Sequence, residues 1–227
     1  MIYQININFS EEIEMEKYQA LMEELLDINF EFYQKGYITP TGGNISMRCP
    51  DEPGNVIITP SHIYKRRLKP EQMLVVDLQG NVVNDRKLKP STETPFHLGI
   101  YRARNDVNAV VHTHAIYTTI LGLTDTKFIP VNAEVAMLSS LPIIDWASGT
   151  EESSRAVVKA LDKNGYFVII QNHGLVVAGP TLTWAAEVTD MIEVSCRILV
   201  TCRMMGVEPH VIPQNVVDLI RSKLKPV

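Results

Sequence analysis

A chain of 227 residues, 45% hydrophobic and 21% charged, is long enough to close one sizeable core, and a single α/β domain over residues 1–227 is the expectation. A formal net charge of -5 offers no basic field to a nucleic-acid backbone or an anionic membrane surface. Apolar runs such as "GLVVAG" fall far short of the roughly 20 residues a bilayer-spanning helix needs, and the acidic start lacks the pattern of a secretory leader.

In chain order, residues 11–36 carry Leu21, Leu25, Ile28 and Phe32 at three- and four-residue spacing before Gly36, which predicts an amphipathic helix with a glycine stop. A turn-rich "TPTGGNISMR" follows. Strands are expected in "NVIITP" and "MLVVDLQGN", the latter turning through Gln79-Gly80-Asn81 into a hairpin with "VV". Residues 93–104 suit a helix with Thr92 as N-cap and Glu93 in its first turn. The strand "NAVVHTH" comes next, then a short helix from Ala115, an extended piece near "KFIPV" and a strand at "LPIIDW". Residues 150–164 read as a helix, "YFVIIQNHGLVVAG" as two strands broken at Asn172-His173-Gly174, and 181–205 as the second long helix, stopped by Gly206. Residues 213–224 add a last helix. Many connections are of hairpin length, so a sheet with antiparallel pairs flanked by helices fits better than a doubly wound parallel sheet. Cys49, Cys196 and Cys202 match no metal-ligand spacing and cannot all pair, which suits a reducing, cytoplasmic location.

Strand side chains alternate, so His112 and His114 project from one face. Two neutral imidazoles are costly to bury side by side unless something accepts their lone pairs. His173, before Gly174 at another strand end, would complete the three-nitrogen set of an open catalytic metal site if the fold brought it near. Glu93 reads two ways, as a helix-start carboxylate matched to the dipole or as an acid–base group beside an anion cradle of Ser91, Thr92 and backbone N–H groups.

Five ordered segments, "GGNIS" (42–46), "ITPS" (58–61), "KPSTET" (89–94), "HTH" (112–114) and "NHG" (172–174), together resemble the class II aldolase/adducin family across residues 17–206. The resemblance implies a three-layer α/β/α fold with a central mixed, largely antiparallel sheet. It implies one divalent metal per subunit on His112, His114 and His173, with Zn2+ the first choice and Mn2+, Co2+ or Fe2+ as alternatives. It further implies a substrate phosphate held by Gly43, Asn44, Ser61, Ser91 and Thr92, and Glu93 as proton-transferring base and fourth ligand when substrate is absent. Glutamate rather than aspartate at 93 leans toward the family's aldolases: retro-aldol cleavage of a phosphorylated ketose to dihydroxyacetone phosphate and an aldehyde, through a metal-stabilised enediolate. The family's epimerase, decarboxylase and dehydratase reactions are the alternatives, with a non-catalytic adducin-like scaffold further off. Such a scaffold is expected to lack the histidines and the glutamate retained here. Homotetramers with sites between subunits are implied, acting on a small phosphorylated sugar.

The sequence departs from the family's aldolase pattern in three ways. His62 stands where the phosphate loop continues with glycine, with Lys65 and Arg66 nearby as extra positive charge. Glu134 lies near the family's catalytic tyrosine position, as a second acid–base group reaching a neighbouring subunit or as a surface residue. No tyrosine follows Tyr166. His97, four residues after Glu93, shares its helix face and reads equally as a partner of Glu93 or as a packed histidine.

Overall fold

The structure is a computed structural model, describing residues 9–84, 87–124, 126–138, 141–145, 151–161 and 165–223. Its strands are β1 (Asn44–Arg48), β2 (Asn55–Ile58), β3 (Leu74–Asp77), β4 (Ala109–Thr113), β5 (Ile143–Ile144), β6 (Phe167–Ile170) and β7 (Gly174–Gly179). Its helices are α1 (Phe9–Lys35), α2 (Thr94–Ala103), α3 (Ile116–Gly122), α4 (Ala133–Ala136), α5 (Glu151–Ala160), α6 (Leu182–Met204) and α7 (Gln214–Lys223). The strands form one sheet in the order β3-β2-β1-β4-β7-β6-β5, antiparallel at every pairing except β5–β6. No described helix is long and apolar enough to cross a membrane.

Strands β6 and β7 read as unbroken apolar runs, and β4 as one up to His112, because both faces of the sheet are covered. Val111, Leu175 and Val177 pack on one side with Leu25 of α1 and Ile192 and Cys196 of α6. Val110, Val168 and Val176 pack on the other with Phe96 and Ile100 of α2 and Val157 of α5. At about 25 cal/mol per Å² of apolar surface removed from water, this double burial is the main stabilising term. Helix α6 starts where Thr181 accepts the Trp184 N–H at 3.1 Å and ends where Gly206 turns left-handed with φ 71, its Val207 N–H closing on the Cys202 carbonyl.

Several local expectations are corrected. Segment 39–48 is not turn throughout: Asn44 and Ser46 alternate with buried Ile45 and Met47 to make β1, whose polar face hid it from a search for apolar runs. Thr92 is not the N-cap of α2. Glu93 occupies that position without capping, because its carboxylate is drawn sideways to other partners. The "VV" hairpin arm makes a single bridge, Val76 to Val82, since Asn84 takes the Val75 N–H and donates to the Met73 carbonyl where a ladder would continue. Segment 127–131 joins no ladder, although Phe128, Ile129 and Val131 pack on the core. The helix expected over 150–164 spans Glu151–Ala160; residues 150 and 162–164, Trp146 and Leu224 lie outside the described residues.

Two arrangements fix the end of β4. Strands β4 and β7 run antiparallel with His112 opposite Val176 and Thr113 opposite Leu175, so the turn before β7 meets the chain leaving β4. Helix α3 is then held by buried Glu193 of α6, whose carboxylate accepts the N–H groups of Tyr117 at 2.9 Å and Thr118 at 2.8 Å and the Thr118 hydroxyl. A carboxylate at a helix N-terminus satisfies unpaired N–H groups and complements the dipole.

At the meeting point no side chain fits: a Cβ on Gly174 would lie 2.0 Å from the Thr113 carbonyl oxygen and 3.2 Å from the His114 ring. Gly174→Ala is therefore expected to force the β4–β7 pair apart and destabilise the fold by about 3 kcal/mol or more, read from the midpoint of a urea titration.

Candidate active site

Backbone register brings the separated motifs together. Asn44 of β1 lies opposite His112 of β4, and the three-residue turn Gln171-Asn172-His173 delivers His173 beside them, with Asn172 left-handed at φ 57. His112 Nε2 is 3.0 Å from His114 Nε2 and 3.3 Å from His173 Nε2. Glu93 closes the group, its Oε2 3.3 Å from His112 Nε2 and its Oε1 3.1 Å from His173 Nε2. One ligand atom from each residue falls within 4.8 Å of all the others.

These side chains fit a divalent cation. His112 is fully buried, and its Nδ1–H donates to the Leu175 carbonyl at 3.0 Å, so its Nε2 presents a lone pair to the cluster. A carboxylate and converging imidazole lone pairs repel one another unless a positive charge lies among them. Ligands about 2.0–2.1 Å from a tetrahedral zinc stand about 3.3 Å apart, close to the spacings seen here. Burial pulls His112 below the ordinary histidine range, and burial with the neighbouring imidazoles takes His114 down to about 3, so both stay neutral and ready to ligate. Close approach orients the His114 ring: a Cβ on Gly42 would be 2.9 Å from its Cε1.

Behind Glu93 runs a chain of hydrogen bonds whose direction is set by its end. An ionised carboxylate only accepts, so Asn44 Nδ2 donates to Glu93 Oε2 at 2.5 Å, which leaves Asn44 Oδ1 to accept from His97 Nε2 at 2.5 Å. His97 Nδ1 then accepts from Ser46 Oγ at 2.7 Å, and Ser46 accepts from the Tyr101 hydroxyl at 2.9 Å. Every member of this chain is buried. Burial alone would push the Glu93 carboxyl up, but the field of His112 when that ring is protonated and the hydrogen bonds from His173 and Asn44 outweigh it and hold the group below the usual carboxylate range. His97 therefore reaches Glu93 through Asn44 rather than across the shared helix face. The alternating Asn44 and Ser46 of "GNIS" were the signal for this network, visible once the segment is read as a strand.

A cavity of about 190 Å³ opens onto the cluster, lined by Gly43, Asn44, Ser61, Ser91 and Thr92 together with Glu93, His114 and His173. All five phosphate candidates are thus on one pocket, with the Asn44 side chain already engaged on Glu93 and His97. His62 lines the same pocket and takes the left-handed backbone of a glycine, φ 56, so the loop keeps a glycine-like shape with an imidazole on it. Lys65 also lines the pocket and is buried. Glu134 is exposed on α4 and lines a separate cavity of about 820 Å³ with Lys35, Tyr37 and Arg197, apart from the four-residue cluster.

The sheet order, the helices on both faces and the cluster of three histidines and one glutamate at the strand ends define an α/β fold with a group of side chains that could hold a metal ion. The profile of the class II aldolase and adducin N-terminal domain matches residues 23–200, and the chain belongs to that family. It is 33% identical over 175 residues to an L-fuculose phosphate aldolase of Methanococcus maripaludis, covering 76% of this chain and 92% of the relative. A 3-oxo-tetronate 4-phosphate decarboxylase of Haemophilus influenzae is 31% identical over 195 residues, covering 80% and 88%. A solved L-fuculose 1-phosphate aldolase superposes with a TM-score of 0.81 at 27% identity, covering 90% of this chain and 95% of that one. This membership makes the chain a class II aldolase-type enzyme.

Metal analysis after dialysis should find about one divalent ion per wild-type chain and less than about a tenth of that in His114→Ala or His173→Ala. A second expectation concerns His97, which burial, with His112 adding to it, holds down at about 3 against an ordinary 6.5. Between those values the unfolded chain binds a proton that the folded chain refuses, so stability falls as pH drops from 6.5 toward 3. In metal-free protein, His97→Gln should reduce that slope by about 1.4 kcal/mol per pH unit, read from urea titrations at several pH values.

Proposed function

We propose that the chain is a divalent-metal-dependent lyase that cleaves a phosphorylated ketose by a retro-aldol reaction to dihydroxyacetone phosphate and an aldehyde. The observation that carries this reading is the position of Glu93, an ionised carboxylate where the nitrogen cluster meets the polar pocket. A divalent cation on His112, His114 and His173 would supply Lewis acidity for the negative charge that develops on the substrate's carbonyl and hydroxyl oxygens. Glu93 moves the proton at the carbon that becomes the hydroxymethyl carbon of dihydroxyacetone phosphate, and its buried donor chain fixes its angle of approach. Gly43, Asn44, Ser61, Ser91 and Thr92 hold the substrate phosphate and set its distance from the reacting carbon.

Zinc is the first choice for such a donor set, with Mn2+, Co2+ or Fe2+ as substitutes. A homotetramer with sites between subunits is part of this reading, and Glu134 is its acid–base group for a neighbouring subunit. The free cysteines Cys49, Cys196 and Cys202 support a cytoplasmic setting. The decarboxylase relative favours one alternative, loss of carbon dioxide from a phosphorylated keto acid, because that reaction shares the enolate step. Retention of all four cluster residues weighs against a non-catalytic scaffold.

The test is exchange of the C3 protons of dihydroxyacetone phosphate in deuterated buffer, followed by NMR with metal-loaded protein. Glu93-dependent exchange, falling on the order of 10²–10⁴-fold in Glu93→Gln, is the expected result. No exchange by folded, metal-loaded protein would overturn the aldolase reading and favour the decarboxylase.

A further inference from the structure

In "KRR", residues 65–67, three basic side chains follow one another, and two of them reach solvent while the first turns inward. The backbone of Lys65 is pinned from two directions. Its N–H donates to the Pro40 carbonyl at 2.8 Å, and its carbonyl accepts from the Asn29 side chain at 2.9 Å. Its side chain runs back toward the turn at residues 61–62, where Nζ donates to the Pro60 carbonyl at 3.3 Å. Lys65 is 1% exposed and lines the cavity that opens onto Glu93.

An ammonium carries three donors, and among the described residues one neutral carbonyl is the only hydrogen-bond partner recorded for it. Among the described residues no carboxylate pairs with it, and burial pulls its pKa down to about 8 against the opposing field of Glu93. Burying a cation so poorly satisfied is unfavourable for folding alone, and replacement by an apolar side chain of similar size would relieve it. Such a group is expected where a ligand completes its coordination.

Charge balance in the pocket identifies the ligand's sign. The hydroxyl groups of Ser61, Ser91 and Thr92 are neutral, the negative Glu93 belongs to the cation cluster at the other end of the pocket, and among the described residues Lys65 is the one lysine or arginine on the lining. Neutral donors beside a carboxylate form a poor site for a dianion, whereas the same donors with a buried ammonium form a good one. We propose that Lys65 is the fixed cation of the pocket, its ammonium binding the oxygens of a phosphate monoester that Ser61, Ser91 and Thr92 hold from the other sides. The assignment rests on the reading of this pocket as the substrate site and adds the group that makes its ligand a dianion.

The test is calorimetric titration of metal-loaded full-length protein with inorganic phosphate and with dihydroxyacetone phosphate, beside Lys65→Met and Lys65→Gln. Methionine suits the buried path, and glutamine keeps a donor for the Pro60 carbonyl, so one variant remains informative if the other fails to fold. Both ligands should bind on the order of 10–100-fold more weakly to each folded variant, with metal content and melting temperature kept or raised. Wild-type affinity for phosphate in a folded, metal-loaded variant would overturn the assignment. So would a variant that loses affinity for glycolate while keeping it for phosphate, because the cation would then serve a carboxylate. Binding requires no turnover, so Lys65-dependent phosphate affinity without proton exchange would sustain this proposal while removing the aldolase reading.

Discussion

Repulsion among acceptors is the constraint on which the site depends. His112, His114, His173 and Glu93 hold their ligand atoms within 4.8 Å of one another, an arrangement that does not form spontaneously in water. The antiparallel β4–β7 ladder imposes it, with a register that leaves no freedom for the two strand ends to slide apart. Around that ladder the remaining features hold the rings in place. The Leu175 carbonyl fixes the His112 tautomer, Gly42 and Gly174 allow backbone to approach His114, and Glu193 holds the helix that follows.

The two sides of Glu93 are built differently. Behind it, Asn44, His97, Ser46 and Tyr101 are packed within the layer between sheet and α2, with each hydrogen bond assigned one direction. In front of it lies a polar cavity with small hydroxyl side chains and one buried ammonium. A rigid rear and an open front keep the carboxylate ionised and its orientation fixed while leaving room for a ligand.

Much of this was legible in the sequence because the relevant residues lie in short, ordered motifs. The spacing of His112 and His114 gave their common face, and the family resemblance supplied the proximity of His173 and Glu93, which no local pattern encodes. Long elements with a clear period, α1 and α6, were read within a few residues of their ends. Strand β1 was hidden because its polar face is an interior one, where Asn44 and Ser46 are hydrogen-bonded instead of solvated. The cap of α2 was misread because propensity describes a helix end in isolation, while Glu93 is claimed by tertiary partners. Lys65 and Arg66 read alike as positive charge near the phosphate loop, and only the hydrogen bonds to Pro40 and Asn29 show why Lys65 alone turns inward.

The donor chain behind Glu93 also has a stereochemical consequence. With Asn44 fixed on one carboxylate oxygen and the rear sealed through to buried Tyr101, the carboxylate cannot swing around a bound molecule. A prochiral carbon held in the pocket is met from one side, so the two hydrogens on that carbon are not equivalent to the protein. In the proposed reaction, handedness at the reacting centre would thus be set by a tyrosine, a serine, a histidine and an asparagine, through the single group that the last of them orients.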